Sequence, residues 1–135
     1  MNSQRLRNNI GYYVLGRAIG QGTFGKVRNG VHIITGEKVA VKILEKDKIK
    51  DNNDVNRIIR EIKILKSVRH PSVIQLYEII ETKNQLYLIM EFAEGGELFD
   101  LIVDRHRLHE DLACKFFRSL IFGLKYIHSL NICHR

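Results

Sequence analysis

Three groups of residues in this chain have the types and spacing that chemistry on a phosphate would use. Gly20-Gln21-Gly22-Thr23-Phe24-Gly25 follows the pattern G-x-G-x-x-G, in which absent side chains let backbone N–H groups come close to phosphate oxygens. Val39-Ala40-Val41-Lys42 ends an alternating run on a cation. On an extended segment Val39 and Val41 share one face, while Ala40 and Lys42 share the other. Glu61 stands among Ile58, Leu65 and Val68 at helical spacing. A carboxylate in an apolar stripe must snorkel outward or find a cation, because an unpaired buried charge is costly. Lys42 is the partner it calls for.

Taken alone the glycine pattern is weak. A dinucleotide-binding loop has the same spacing, and Glu45 and Asp47 lie about 20 positions on, where a ribose contact would be expected. That loop must open into a helix. Here Lys26 to Ile34 is rich in β-branched residues, alternates and is interrupted by Gly30, which reads as a strand. An ordinary hairpin turn is the plain alternative for the glycines, and a surface lysine on a half-exposed strand is the plain alternative for Lys42. Loop, lysine and glutamate in this order, on matching elements, outweigh both.

The elements that must position these residues can be read from periodicity. Strands are expected from Tyr13, over Lys26 to Ile34, and over Glu37 to Leu44, with Thr35-Gly36-Glu37 as a turn. A polar basic stretch, Glu45 to Asn53, separates them from a helix capped by Asp54 and running to about Val68. Pro71 follows its end. Two more strands, Val73 to Glu81 and Gln85 to Glu91, flank Thr82-Lys83-Asn84. Gly95 and Gly96 mark a hinge, after which Glu97 to Val103 and Glu110 to about Leu130 read as helices. The long helix presents Leu112, Phe116, Phe117, Leu120, Ile121, Leu124 and Ile127 on one face. The fold class is α+β: a five-stranded antiparallel sheet with one helix, then a helical region. The expected organisation is a disordered 1–9, a first lobe over 10–93, a hinge at 94–96 and the start of a second lobe over 97–135.

The chain has 135 residues and a net charge of +7. Residues 1–50 hold 10 Lys and Arg against 3 Asp and Glu, and the rest hold 12 against 12, so the excess sits with the glycine loop. Attraction to a polyanionic ligand accounts for it. Nucleic acid is a distant alternative, because aromatic residues do not alternate with the charges as on a stacking platform. Cys114 and Cys133 are too few for a disulfide framework and lack zinc-site spacing. Residues 1–9 lack the apolar core of a signal peptide, and Leu86 to Met90 is too short to span a membrane. A cytoplasmic or nuclear location is expected.

With these motifs in order, the chain resembles a eukaryotic protein kinase domain from Tyr12 to Arg135, most closely the AMP-activated and sucrose-non-fermenting-related serine/threonine kinases. His70-Pro71-Ser72-Val73-Ile74-Gln75-Leu76-Tyr77, Met90 to Asp100 and Tyr126-Ile127-His128-Ser129 carry the likeness further. The resemblance implies ATP and Mg2+ as cofactors and transfer of the γ-phosphate to protein Ser/Thr hydroxyls. It assigns the backbone of Gly22 to Gly25 to the phosphates with Phe24 at the loop tip, and Val27 and Ala40 to the two sides of the adenine. Lys42 would grip the α- and β-phosphates, held by Glu61. Met90 would be the gatekeeper, backbone groups of Glu91 and Ala93 would meet the adenine edge, and Glu97 would meet the ribose or a basic residue of a peptide substrate. Ile19, Gly20, Gln21 and Thr23 complete the implied cofactor-binding set. By pattern alone Met90 is a buried methionine, and Glu97 a carboxylate at a helix N-terminus.

His134-Arg135 resembles the start of the H-R-D catalytic loop, whose Asp, Asn and D-F-G motif would follow. These 135 residues alone are therefore expected to be inactive, with protein substrates, regulatory subunits and the protein's Mg2+ ligands determined elsewhere. Residues 97–135 are expected to be poorly packed. A nucleotide- or partner-binding module without catalysis is the second reading.

Overall fold

Alternation from Lys38 to Ile43, followed by a second buried residue at Leu44, builds the strand on which the first unit turns. The computed structural model describes residues 9–134; of the disorder expected over residues 1–9, residues 1–8 lie outside them, and Asn9 is instead in a strand. The chain divides into two compact units; the first ends at Lys66 and resumes over Gln75–Phe92, and the second comprises Ser67–Ile74 and the chain from Ala93 on.

In the first unit, β1 (Asn9–Ile10), β2 (Tyr13–Gln21), β3 (Gly25–His32), β4 (Lys38–Glu45), β5 (Leu76–Glu81) and β6 (Gln85–Glu91) form one sheet ordered β1-β2-β3-β4-β6-β5. All its pairings are antiparallel. The strand beyond the expected five is β1, which places Asn9 opposite Val14; two residues are too short to show a period. β5 begins at Leu76 rather than Val73, because the Val73 N–H is taken by the His70 carbonyl in a turn.

The two faces of β4 feed two cores. Val39, Val41 and Ile43 pack with Tyr13, Leu15 and Ile89. Leu44, on the other face, packs with Leu88, Leu76 and Ile58, joined by Ile62 and Leu65. The last three come from α1 (Asn52–Ser67), so burial of one helical stripe against the sheet fixes this helix. Its cap is Asp51, whose Oδ1 accepts the Asp54 N–H at 2.8 Å. The expected cap, Asp54, is inside the first turn. Both carboxylates suit a helix N-terminus, but only the one preceding the first helical residue reaches the N–H three positions on.

The second unit contains α2 (Leu98–Arg105) and α3 (Glu110–Ser129). Gly96, at φ 76, makes the backbone reversal before α2. α3 packs closely on the His70–Val73 turn: a Cβ on Gly123 would meet Ser72 at 3.1 Å, and Tyr126 stacks on His70 at 5.0 Å. The Tyr126 hydroxyl also accepts the Arg69 N–H at 2.9 Å. Of the expected apolar face of α3, Leu112, Leu124 and Ile127 are half-buried, whereas Phe116, Phe117, Leu120 and Ile121 are exposed. Among the described residues no helix is long and apolar enough to cross a membrane.

Candidate functional site

The glycine loop is the turn between β2 and β3, closed by a 2.8 Å bond from the Gly22 N–H to the Gly25 carbonyl. Gly25 is needed for packing: a Cβ there would lie 1.8 Å from the Ile43 carbonyl oxygen. Gly20 and Gly22 have room for a methyl, with nearest atoms at 3.6 and 3.7 Å.

Register gathers the rest. Lys42 lies opposite Val27 on β3 and Leu88 on β6, and Ala40 lies opposite Met90. Residues directly opposite share a face, so Val27, Ala40, Lys42 and Met90 all project toward the side on which α1 packs. From α1, Glu61 pairs its Oε1 with the Lys42 ammonium. This is the expected partner, though the expected burial is not found: the side chains are 29% and 48% exposed. Ile58, Ile62 and Leu65 pack on the sheet, and Glu61 lies beside that stripe, facing a cavity. An ion pair this exposed contributes about 0.2–1 kcal/mol to folding.

That cavity, about 260 Å3, is lined by Gly22, Thr23, Phe24, Gly25, Val27, Lys42 and Glu61, together with Lys26, Leu44 and Arg57. Two lysines, Lys26 and Lys42, face one carboxylate, which is already paired, so the lining favours an anion. Ile19, Gly20, Gln21, Ala40, Met90 and Glu91 lie outside its lining. Glu91 pairs with Val39, and so takes the opposite face from Met90; its N–H donates to the Gln75 carbonyl at 2.8 Å, so that donor is not available to a ligand. Ala93 and Glu97 belong to the second unit. Glu97 is the exposed N-cap of α2, and its carboxylate makes no cap hydrogen bond.

Sequence reasoning missed Lys26, Leu44 and Arg57. The signal for Arg57 was present: it stands one turn before Glu61, and side chains four apart share a helix face. Among the described residues no three His, Cys, Asp or Glu side chains gather as a metal-ligand cluster.

Comparison with known proteins agrees with this geometry. Residues 13–135 match the family described as the protein kinase domain. The chain is 44% identical over 135 residues to CBL-interacting serine/threonine-protein kinase 26 of Arabidopsis thaliana, covering 100% of this chain and 31% of that protein. It is 42% identical over 135 residues to CBL-interacting protein kinase 32 of Oryza sativa subsp. japonica, with coverage of 100% and 31%. With CBL-interacting serine/threonine-protein kinase 3 of Arabidopsis thaliana it shares 43% identity over 132 residues, covering 98% and 30%. The chain thus spans less than a third of the length of the curated relatives it matches.

Proposed function

The chain belongs to the protein kinase family, and we propose that it is the ATP-binding part of a serine/threonine kinase of the AMP-activated and sucrose-non-fermenting-related group. The whole protein then transfers the γ-phosphate of ATP to Ser and Thr hydroxyls of protein substrates. The observation that carries this reading is the Lys42–Glu61 pair on the wall of the glycine-loop cavity. In protein kinases a strand lysine paired with a helix glutamate must be assembled for phosphoryl transfer.

ATP, when bound with Mg2+, supplies the phosphoryl group. The chain's own residues bind and orient. N–H groups of Thr23 and Phe24 would donate to phosphate oxygens, the Gly22 N–H being held by the Gly25 carbonyl, and Lys42 would contribute a cation that Glu61 keeps directed into the cavity. Val27 and Ala40, small and on one face, leave space for a flat adenine, with Met90 at its rear. The carbonyl of Glu91 would take the adenine edge. A polypeptide of these 135 residues alone is proposed to bind nucleotide without turnover, since the cavity lining offers no carboxylate other than the paired Glu61.

The relatives' names describe them as CBL-interacting. A regulatory protein partner for the whole protein is proposed on that likeness, as is a cytoplasmic or nuclear location on the composition.

Thermal unfolding with and without Mg-ATP tests the reading. Ligand at 100 times its dissociation constant stabilises the folded unit by about 2.7 kcal/mol. Lys42→Met should abolish this gain, yet lower ligand-free stability by no more than about 1 kcal/mol, because the pair is half-exposed. No shift for the unaltered chain at millimolar Mg-ATP would sink the proposal.

A further inference from the structure

Arg57 reaches the glycine-loop cavity from the same helix as Glu61, one turn earlier. Its guanidinium carbon lies 5.9 Å from the centroid of the Phe24 ring, within the range of a cation–π contact. Asp54 Oδ1 stands 3.9 Å from its Nη1, which steadies the guanidinium from the preceding turn. The Phe24 ring is half-buried against the core formed by Leu44 and Ile58, so the loop tip is turned toward α1. The loop backbone is anchored to β4 by the 2.9 Å bond from the Glu45 N–H to the Phe24 carbonyl, which leaves the Phe24 side chain to be placed by the core and by Arg57.

We propose that Arg57 is a positioning residue: by stacking on Phe24 it holds the tip of the glycine loop over the phosphate end of the cavity, and so couples nucleotide affinity to the position of α1. The inference rests on the nucleotide reading above. Its physical basis is that one rigid helix makes two contacts, Glu61 to Lys42 on the cavity wall and Arg57 to Phe24 on its lid. Moving α1 releases both together. Arg57 acts here through the loop and does not itself bind phosphate. This predicts that its effect requires the Phe24 ring and is confined to ligands that carry phosphates.

The test measures dissociation constants for Mg-ATP and for adenosine on the full chain, in the unaltered protein and in Arg57→Gln, Arg57→Lys, Phe24→Leu and the Arg57→Gln/Phe24→Leu double variant. The Arg57 side chain is 71% exposed, so its variants keep the fold. Arg57→Gln is expected to weaken Mg-ATP about two- to five-fold, the affinity equivalent of an exposed cation–π contact, and to leave adenosine unchanged. Arg57→Lys should recover part of the loss, and the double variant should bind no more weakly than Phe24→Leu. Fluorine-labelled phenylalanine at position 24 gives a ligand-free readout, whose resonance should move in Arg57→Gln. A full Arg57→Gln loss persisting without the ring would overturn the proposal, because the guanidinium would then act on the phosphates directly. An unmoved fluorine resonance would also overturn it, by showing no stack. If the unaltered chain binds no Mg-ATP, the proposal falls with the nucleotide reading, and a moved resonance identifies the nucleotide reading as the failed part.

Discussion

Gly25→Ala should destabilise the first unit, whereas Gly22→Ala should spare folding and weaken binding. The added methyl at Gly25 would sit 1.8 Å from the Ile43 carbonyl oxygen and 2.9 Å from its carbon. Both are backbone atoms of β4, so no rotamer change relieves the clash, and the two strands must part by roughly 1 Å or more. The 2.9 Å bond from the Glu45 N–H to the Phe24 carbonyl spans this point and would stretch beyond useful geometry. Losing such a half-buried bond costs about 0.5–1.5 kcal/mol; with the strain of parting the strands the total is about 2–4 kcal/mol, a Tm drop of roughly 10–25 °C for a unit of this size. At Gly22 the nearest atom is an ordinary 3.7 Å away, and at Gly20 it is 3.6 Å away. Alanine fits at both and should change stability by less than about 1 kcal/mol in either direction. Urea unfolding followed by circular dichroism, beside Mg-ATP titration, separates the two classes. A Gly25→Ala chain within about 0.5 kcal/mol of the unaltered one, a surface-mutation effect, would refute the reasoning.

Burial first, then the hydrogen bond to Glu78, pushes the Tyr13 hydroxyl from 10.0 up to about 12. The folded state therefore favours the neutral phenol, and the contribution, on the order of 2–3 kcal/mol, is complete below pH 10 and lost as pH rises toward 12. Urea midpoints should fall over that window in the unaltered chain and fall less in Tyr13→Phe, with a residual slope from Tyr77 and Tyr87, also raised chiefly by burial; parallel curves would reject the assignment. Asp51→Ala should lower stability by about 1 kcal/mol through loss of the cap, and Asp54→Ala by less, since the Asp54 carboxylate makes an exposed contact with Arg57 at 3.9 Å. Thermal melts of the two variants decide, and a larger loss at Asp54 would move the cap there.

Much of the site was legible because its rules are local. Period-two alternation separates Val39 and Val41 from Ala40 and Lys42 whatever the surrounding fold, and the observed register keeps that division. Helical spacing likewise puts Glu61 on the side of α1 from which it reaches Lys42. The degree of burial was not legible. A residue at the edge of an apolar stripe is covered or open according to what lies next to it, and here that is a cavity. Arg57 was passed over for a related reason. A basic residue on an amphipathic helix ordinarily reads as solvated, and its meaning depends on Phe24, which arrives from a loop on the far side of two strands.

The exposure of the Lys42–Glu61 pair has a consequence for how α1 is held. At about 0.2–1 kcal/mol the pair is too weak to position the helix. Burying Ile58, Ile62 and Leu65 against Leu44 and Leu88 supplies more, since full burial of one such side chain is worth about 1.5–3 kcal/mol. Apolar packing therefore sets where α1 lies, and the polar contacts report it. Both Glu61 and Arg57 lie to one side of the packed stripe, so a small rotation of α1 about its axis would cost little apolar area while breaking the Lys42 contact and the Phe24 contact together. A helix held by its greasy face and read by its polar edge is suited to control, because the energy needed to misalign the site is much smaller than the energy needed to unfold it.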